Sequence, residues 1–354
     1  MNINYKKLCI IFSLIFLFNF YSSCNLSTEN YEKKEAIDFQ TTLKAEIQSF
    51  GDEAAIFSAY QILNVDNDYL IISDSEENGF FKVFNLPDLK YLYSWGTSGK
   101  GPDEFEYIPL FGINVDGKDL HIYDIGTRLL RIYTVTDSTL VSNGSLSLSY
   151  KGQTNIHTSV SRVKDNLYVA EYGKFNKDED YEYIALAPNN ESFLFKFGQY
   201  PESELDSHDR FWYYLKSIAA SPDGSKIAAF YLKHNLFKIF DSNGNELLKA
   251  RVVDNFVDYK IRDNNEIETR SLVWASDAFL YALGIHKSID NEEYSNTSIE
   301  VWNWKGYQVY RAYFDRPISD FTVDEERKKV YGYSSQSIHE LFEYDLPVQD
   351  FIKY

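Results

Sequence analysis

The stretch LKYLYSWGTSGKGPDEF, residues 89–105, decides how this chain is read. Tyr91–Trp95 is apolar and aromatic and predicts a short strand. Gly96, Gly99 and Gly101 then fall within six residues and Pro102 follows, which marks a fixed irregular loop rather than a helix or a sheet ladder. The chain restarts at Phe105.

Working outward, one unit recurs: a turn rich in Asp, Asn or Gly, a hydrophobic strand, a polar turn, then an aromatic strand. The hydrophobic strands are Tyr69–Ile72, Leu120–Tyr123, Leu167–Ala170, Ile227–Phe230, Leu280–Leu283 and Val330–Tyr333. Their anchors, Leu70, Leu120, Leu167, Ile227, Leu280 and Val330, are 50, 47, 60, 53 and 50 residues apart. Partner strands follow at Phe81–Phe84, Leu130–Tyr133, Tyr183–Leu186, Phe237–Phe240, Ile299–Trp302 and Leu341–Tyr344, several of them alternating apolar with polar. A tight turn leads to a further strand in most units. Asp241-Ser242-Asn243-Gly244-Asn245 is the clearest, with Asn-Gly expected to supply the positive φ values of a two-residue hairpin. Ser221-Pro222-Asp223-Gly224 is a second hairpin signature.

The run Trp95-Gly96-x-x-Gly99-x-Gly101-Pro102-x-x-Phe105 resembles the blade-to-blade junction of six-bladed β-propellers of the NHL and TolB-like kind. It is most similar to the propeller lipoproteins of Bacteroidetes. The resemblance implies an all-β, six-bladed β-propeller, and the six units agree with it. The last unit, Ile318–Leu346, reaches only a third strand, and a spare strand-like stretch, Phe39–Phe50, precedes the first. The expectation is that this N-terminal stretch completes the last blade, which removes exposed edges. Insertions at Asn176–Tyr181, Pro201–Arg210, Asp254–Glu268 and His286–Ser298 are expected on the rims.

The N-terminus bears on the compartment. Lys6 and Lys7 precede the apolar run Leu8–Phe20, which is short for a membrane span. Phe20-Tyr21-Ser22-Ser23-Cys24 resembles a bacterial lipobox, which implies cleavage before Cys24 and lipidation of that residue. The organisation expected is a signal peptide at 1–23, a polar tether at 24–37 and the propeller at 38–354. The resemblance places the protein in the cell envelope, lipid-anchored at the outer membrane, with the membrane as one partner. Cys9 lies in the discarded segment, so lipidation of Cys24 would leave no thiol to form a disulfide. The net charge of −18 disfavours nucleic acid, whose phosphates an acidic surface repels.

Catalytic motifs do not survive a check of spacing. Gly96-Thr97-Ser98-Gly99 has Lys100 where a nucleophile elbow has its second glycine. His339-Glu340 lacks a second His and falls on a strand. Asp241–Asn245 starts like a calcium loop but has its glycine at the fourth position. Asp66-Asn67-Asp68, Asp178-Glu179-Asp180 and Asn291-Glu292-Glu293 read as solvated loops. No cofactor or metal site is predicted.

His208-Asp209-Arg210-Phe211-Trp212-Tyr213-Tyr214 is the chemically dense cluster. His208, Asp209, Arg210 and Trp212 could bind a carbohydrate or peptide by stacking and charged hydrogen bonds. The same residues could equally be a buried aromatic strand start with a local Asp–Arg pair. Trp95, Gly96, Gly99, Gly101, Pro102 and Phe105 are read as structural. The function expected is a non-catalytic binding platform for a protein or glycan partner. The competing class is a hydrolase or lyase acting on sugars or lactones at the central mouth.

Overall fold

The computed structural model describes residues 31–57, 59–75, 78–101, 103–106, 112–148, 160–172, 181–190, 192–201, 207–253, 268–288 and 291–353. Residues 1–30, and with them the signal segment, Cys24 and the first half of the expected tether, lie outside the described residues, as does Pro102.

The six units fold as six antiparallel sheets. Three short strands come first: β1 (Glu32–Glu35), β2 (Thr41–Leu43) and β3 (Glu46–Ser49). Blade 1 is β4 (Ala59–Val65), β5 (Tyr69–Asp74), β6 (Asn78–Asn85) and β7 (Lys90–Ser98), with β8 (Glu104–Phe105) added. Blade 2 is β9 (Ile113–Asp116), β10 (Asp119–Asp124), β11 (Leu129–Val135) and β12 (Leu140–Ser147). Blade 3 is β13 (Val160–Lys164), β14 (Leu167–Glu171), β15 (Tyr181–Leu186) and β16 (Phe195–Gln199). Helix α1 (Ser207–Tyr213) precedes blade 4, which is β17 (Lys216–Ala220), β18 (Lys226–Tyr231), β19 (Leu236–Asp241) and β20 (Glu246–Val253). Blade 5 is β21 (Glu268–Ala275), β22 (Phe279–Ser288), β23 (Asn291–Asn303) and β24 (Gln308–Phe314). Blade 6 is β25 (Asp320–Asp324), β26 (Lys329–Tyr333) and β27 (Glu340–Asp345), and β3 is its fourth strand. Neighbouring innermost strands touch all the way round, from β4 through β9, β13, β17, β21 and β25 back to β4. The chain is a six-bladed β-propeller.

The last blade closes as expected, with β3 antiparallel to β27. Only the second half of Phe39–Phe50 does this. β2 instead lies parallel to β24 on the outer edge of blade 5. β1, inside the stretch expected to be tether, lies parallel to β20 on the outer edge of blade 4. The fold therefore begins by Glu32, not at 38, and the N-terminal segment is a strap over three successive blades. Polar composition concealed this because an outer-edge strand is half in water: Lys33 and Glu35 face out while Lys34 is buried over the Tyr307 ring.

Strand burial explains the repeat. In β5 all six residues are buried, because a blade's middle strands are covered on both faces by neighbouring blades. Such strands read as near-continuous apolar runs. The seams between blades are aromatic: Trp95 of blade 1 meets Tyr133 of blade 2 at 4.7 Å, and Trp302 of blade 5 meets Phe237 of blade 4 at 5.5 Å.

The innermost strands leave backbone groups unpaired at the axis, and side chains take them up. Asp320 Oδ2 accepts the N–H of Ile62 at 3.0 Å, and Thr322 Oγ1 that of Asn64 at 3.2 Å. Gln61 donates to the Ile113 carbonyl, and Asn114 to that of Val160. Blades 6, 1, 2 and 3 are thereby stitched edge to edge without a shared ladder.

One turn and one insertion differ from expectation. At Asp241–Asn245 only Gly244 has positive φ, and Asp241 Oδ1 accepts the N–H groups of Asn243 and Asn245. The side chain of Asp241 thus organises a bulged turn in place of the two-residue hairpin. Asn303 and Gly306 repeat the device. The insertion His286–Ser298 is not a loop: it extends β22 and β23 into a long hairpin.

Candidate binding face

An antiparallel blade sends alternate connections to opposite ends. The first-to-second and third-to-fourth strand turns emerge on one face and are short, as at 117–118, 165–166 and 242–245. The second-to-third connections and those between blades emerge on the other face. Among the described residues these include the turns at 125–128 and 232–235 and the helix Ser207–Tyr213. The strand ends on this side are joined by the longer stretches of sequence, and it is called here the long-connection face.

Strand β7 runs through Trp95 and Gly96 to Ser98, three residues past the expected strand end, and reaches this face. Gly96 has φ +94°, and a Cβ there would stand 2.5 Å from the Phe80 ring. Gly99 N–H donates to the Phe105 carbonyl at 2.9 Å, and Gly101 N–H to Glu104 at 2.7 Å. These bonds fold the loop back so that β8 pairs with β7 and Phe105 is driven inside, against Phe80, Trp95 and Tyr133. The Arg131 guanidinium covers the Phe105 ring at 4.7 Å.

The dense cluster is neither a loop nor a strand start. It is helix α1. Helical spacing splits its residues: Phe211 and Tyr214 turn inward and are buried, while Asp209 and Trp212, three apart, face out, Trp212 being 51% exposed. Arg210 is half-buried. His208 lies in the helix, and its side chain lies outside the described residues. Of the four expected binding residues, Asp209 and Trp212 therefore share an outward face and Arg210 is turned partly inward. Apolar period-two reasoning misassigned the stretch because a two-turn helix offers too few residues to show a period.

Beneath α1 lies a group the sequence did not disclose. Lys216, Glu171, Glu182 and Lys238 are all buried between blades 3 and 4. Glu182 lies 2.8 Å from Lys238 and 3.5 Å from Lys216, and Lys216 stands 3.9 Å from Glu171. Tyr231 donates its hydroxyl to Glu182 at 2.5 Å. The rings of Tyr200, Tyr183 and Tyr231 surround Lys216 at 4.5–5.5 Å. Burial alone would lower the Lys216 pKa, but Glu182, Tyr200 and Glu171 outweigh it and the ammonium holds its proton more tightly than usual. A protonated amine is no nucleophile, so this is a cation that joins two blades. Burial also pushes the Tyr200 hydroxyl up to about 12. Across blade 4, Arg270, Glu300 and Arg311 form a second such centre, with Arg270 gripping both oxygens of Glu300 at 2.5 and 3.1 Å. Lys238 in Phe237-Lys238-Ile239-Phe240 looks like the wet position of an alternating strand; only blade stacking makes it internal.

The seam of blades 6 and 1 presents different chemistry. Ile56 is fully buried and donates its N–H to the Ile338 carbonyl at 2.7 Å. The N–H of the next residue, Phe57, is bound by Asp74 Oδ2 at 2.9 Å. The backbone is thus held from both blades while the Phe57 ring is 54% exposed, close in the chain to the buried Ile56. Ile338, and Ile125 on blade 2, are exposed on the same face.

At the mouth of the axis sits Asp320, the first residue of β25. It is not among the fully buried residues, yet burial of its carboxyl is the dominant effect and pushes it up to about 7, against the opposing N–H bonds from Ile62 and Phe321. The ordinary carboxyl value is 3.8, so between that and about 7 the folded state keeps a proton that the unfolded chain has released. Stability carried by this group is complete below the lower value and is lost as pH rises through the higher one. Between pH 5 and 8 the wild type is expected to lose roughly 2 kcal/mol of unfolding free energy relative to Asp320→Asn, which keeps an acceptor for Ile62. His121 and His234, whose pKa values burial lowers, tilt both profiles equally, so the difference between denaturant titrations of the two proteins isolates Asp320. Parallel profiles would sink the assignment.

The remaining candidates are accounted for locally. Asp66 and Asp68 flank Lys118, at 3.9 and 2.7 Å. His121 Nδ1 pairs with the Tyr168 hydroxyl at 2.8 Å, and His234 Nε2 with the Tyr213 carbonyl at 3.0 Å. Asp178–Asp180 lies outside the described residues, as do the side chains of Asn291–Glu293. Among the described residues no group of three His, Cys, Asp or Glu is placed to hold a metal ion, and no described helix is long and apolar enough to cross a membrane.

No protein-family model matches the chain, and no curated protein is similar to it in sequence. Similarity appears in solved structures. A member of the DUF4221 family from Bacteroides vulgatus superposes with a TM-score of 0.57 at 10% identity, covering 86% of this chain and 97% of that one. A Bacteroides fragilis protein named for its inferred export gives 0.54 at 12% identity, covering 89% and 98%. At such identities the likeness concerns the fold alone.

Proposed function

We propose that this protein is a cell-envelope lipoprotein, held to the outer membrane by acyl chains on Cys24, whose propeller is a non-catalytic platform for a protein or glycan partner. The observation that carries the reading is the seam of blades 6 and 1, where Phe57 is held out into water on a backbone pinned from both sides. An exposed aromatic on a rigid support loses little conformational freedom on binding, which suits an interface anchor. Phe57, Ile338 and Ile125 carry no polar group for a sugar hydroxyl, so the seam favours a protein over a glycan. The inferred export of the Bacteroides fragilis neighbour fits the same compartment. A hydrolase or lyase would need acid–base groups converging on the axis; Asp320 is the perturbed carboxyl there, and its bond to Ile62 gives it a structural task.

A photo-crosslinking residue placed at Phe57 in cells is expected to yield one discrete adduct, and the same residue at Asn243 on the opposite face none. Equal labelling from both positions, or from neither, would overturn the platform reading. Cys24→Ala is expected to move the protein from the membrane fraction to the soluble fraction after a wash in about 0.5 M salt; retention on the membrane through that wash would overturn the anchor.

A further inference from the structure

We propose that the rim of blade 4 is a second membrane contact, a basic and aromatic patch that lies against anionic lipid headgroups; its geometry rests on the anchor reading above. The outer edge of this blade is β20 covered by β1, and Lys33 and Arg251 are register partners there, both exposed. Lys249 and Arg251, two apart on one strand, share a face, and both flank the Tyr31 ring, at 4.4 and 5.4 Å. At the corner with the long-connection face, exposed Lys233 adjoins His234, and Arg251 and Lys233 are the two cations that act on His234. The Tyr213 ring lies 4.6 Å from His234, and its chain neighbour Trp212 is half exposed.

Among the described residues, Glu32 is taken by Lys34 at 2.5 Å, and Glu35 and Asp209 are exposed. Basic side chains mixed with Trp and Tyr match a headgroup layer, where phosphates meet the ammonium and guanidinium groups and the rings sit at the boundary. The chain as a whole carries −18, so an anionic surface repels most of the molecule and a local cationic patch decides which edge faces it.

The point where the chain enters the fold agrees. Tyr31 is part of the patch, and residues 24–30 can span at most about 24 Å. An anchor at Cys24 therefore holds blade 4 near the bilayer. Blade 1 lies across the ring from blade 4, so the Phe57 seam is left facing away from the membrane and open to a partner.

The test uses the full chain with vesicles of phosphatidylcholine alone or of phosphatidylcholine with phosphatidylglycerol, each carrying a spin-labelled headgroup. Trp212 emission is taken as the difference between wild type and Trp212→Phe. Each basic side chain near such a surface favours the docked pose by about fivefold. Trp212 quenching is expected in phosphatidylglycerol vesicles, at background in phosphatidylcholine, and abolished by about 0.5 M salt. Lys249→Gln with Arg251→Gln is expected to abolish it too, as is Lys33→Gln with Lys233→Gln, which leaves the Tyr31 contacts intact. Equal quenching in both vesicles, or quenching indifferent to salt and to both variant pairs, would overturn the proposal. Flotation separates the two readings. A chain that floats with both vesicles but shows no phosphatidylglycerol-dependent quenching keeps the anchor and loses the patch. A chain that floats with neither, yet is quenched on addition of excess phosphatidylglycerol vesicles, keeps the patch and loses the anchor. Binding of a soluble anionic polysaccharide through the same side chains, without quenching by lipid, would reassign the patch to a glycan and overturn the lipid assignment.

Discussion

Glu182→Ala is expected to lower the unfolding free energy by about 3–5 kcal/mol. Glu182 is the shared anion of Lys216 and Lys238 and accepts from Tyr231 as well. Its removal strands two buried ammonium groups, with Glu171 at 3.9 Å the remaining carboxylate beside Lys216. The penalty comes from desolvated charge left without its counter-ion and not from the net worth of the pair. A control follows. Replacing Glu182 with Leu, Lys216 and Lys238 with Met, and Glu171 with Gln removes all four buried charges at similar volume. That quadruple variant is expected to recover most of the loss, since a buried ion pair and an apolar filling are often near equal in stability. Urea denaturation of the three proteins checks this. A loss under about 1 kcal/mol for Glu182→Ala would mean that water reaches the site and the charges are not buried.

Phe105→Ala is expected to cost a comparable amount, about 3–5 kcal/mol. Phe105 is wholly buried at the junction of blades 1 and 2. Its ring contacts Phe80, Trp95 and Tyr133, with the Arg131 guanidinium over its face. Truncation opens a cavity bounded by two blades and leaves the short pairing of β8 on β7 without the side chain that seats it. Phe105→Leu, which keeps most of the volume, is expected to cost about 1.5 kcal/mol or less. Equal losses for the two substitutions would show that the junction depends on the ring's geometry and not on filled volume. A loss below about 1 kcal/mol for Phe105→Ala would show that the junction collapses around the gap.

These two sites were unequally legible. Phe105 stood in a stretch whose glycines announce a fixed backbone, and a local rule sufficed to single it out. Glu182 stood between Tyr181 and Tyr183 with nothing to mark it. Its partners Lys216 and Lys238 are 34 and 56 residues away in sequence, and they meet it because blade 4 stacks on blade 3. Trp212 was picked for its chemistry, and the structure sets it exposed on a short helix with Asp209 on the same face and Phe211 turned inward, an arrangement no period in so short a stretch revealed. Phe57, in the chain between Ile56 and Ser58, offered no signal at all: its exposure is decided by Asp74 and Ile338, which pin the backbone on either side.

By itself the sequence determined six units of about fifty residues, their two central strands, the glycine-bearing junction and the closing of the last blade by an N-terminal strand. Those features depend on burial periodicity and turn chemistry, which act over a few residues and are written locally. The tertiary structure alone decided that β1 and β2 strap blades 4 and 5, that Lys216 is caged by tyrosines, and that cations gather on the rim of blade 4. Each of these arises from groups on different blades, and their separation in space is set by how the blades stack and close, which no local pattern of residues encodes.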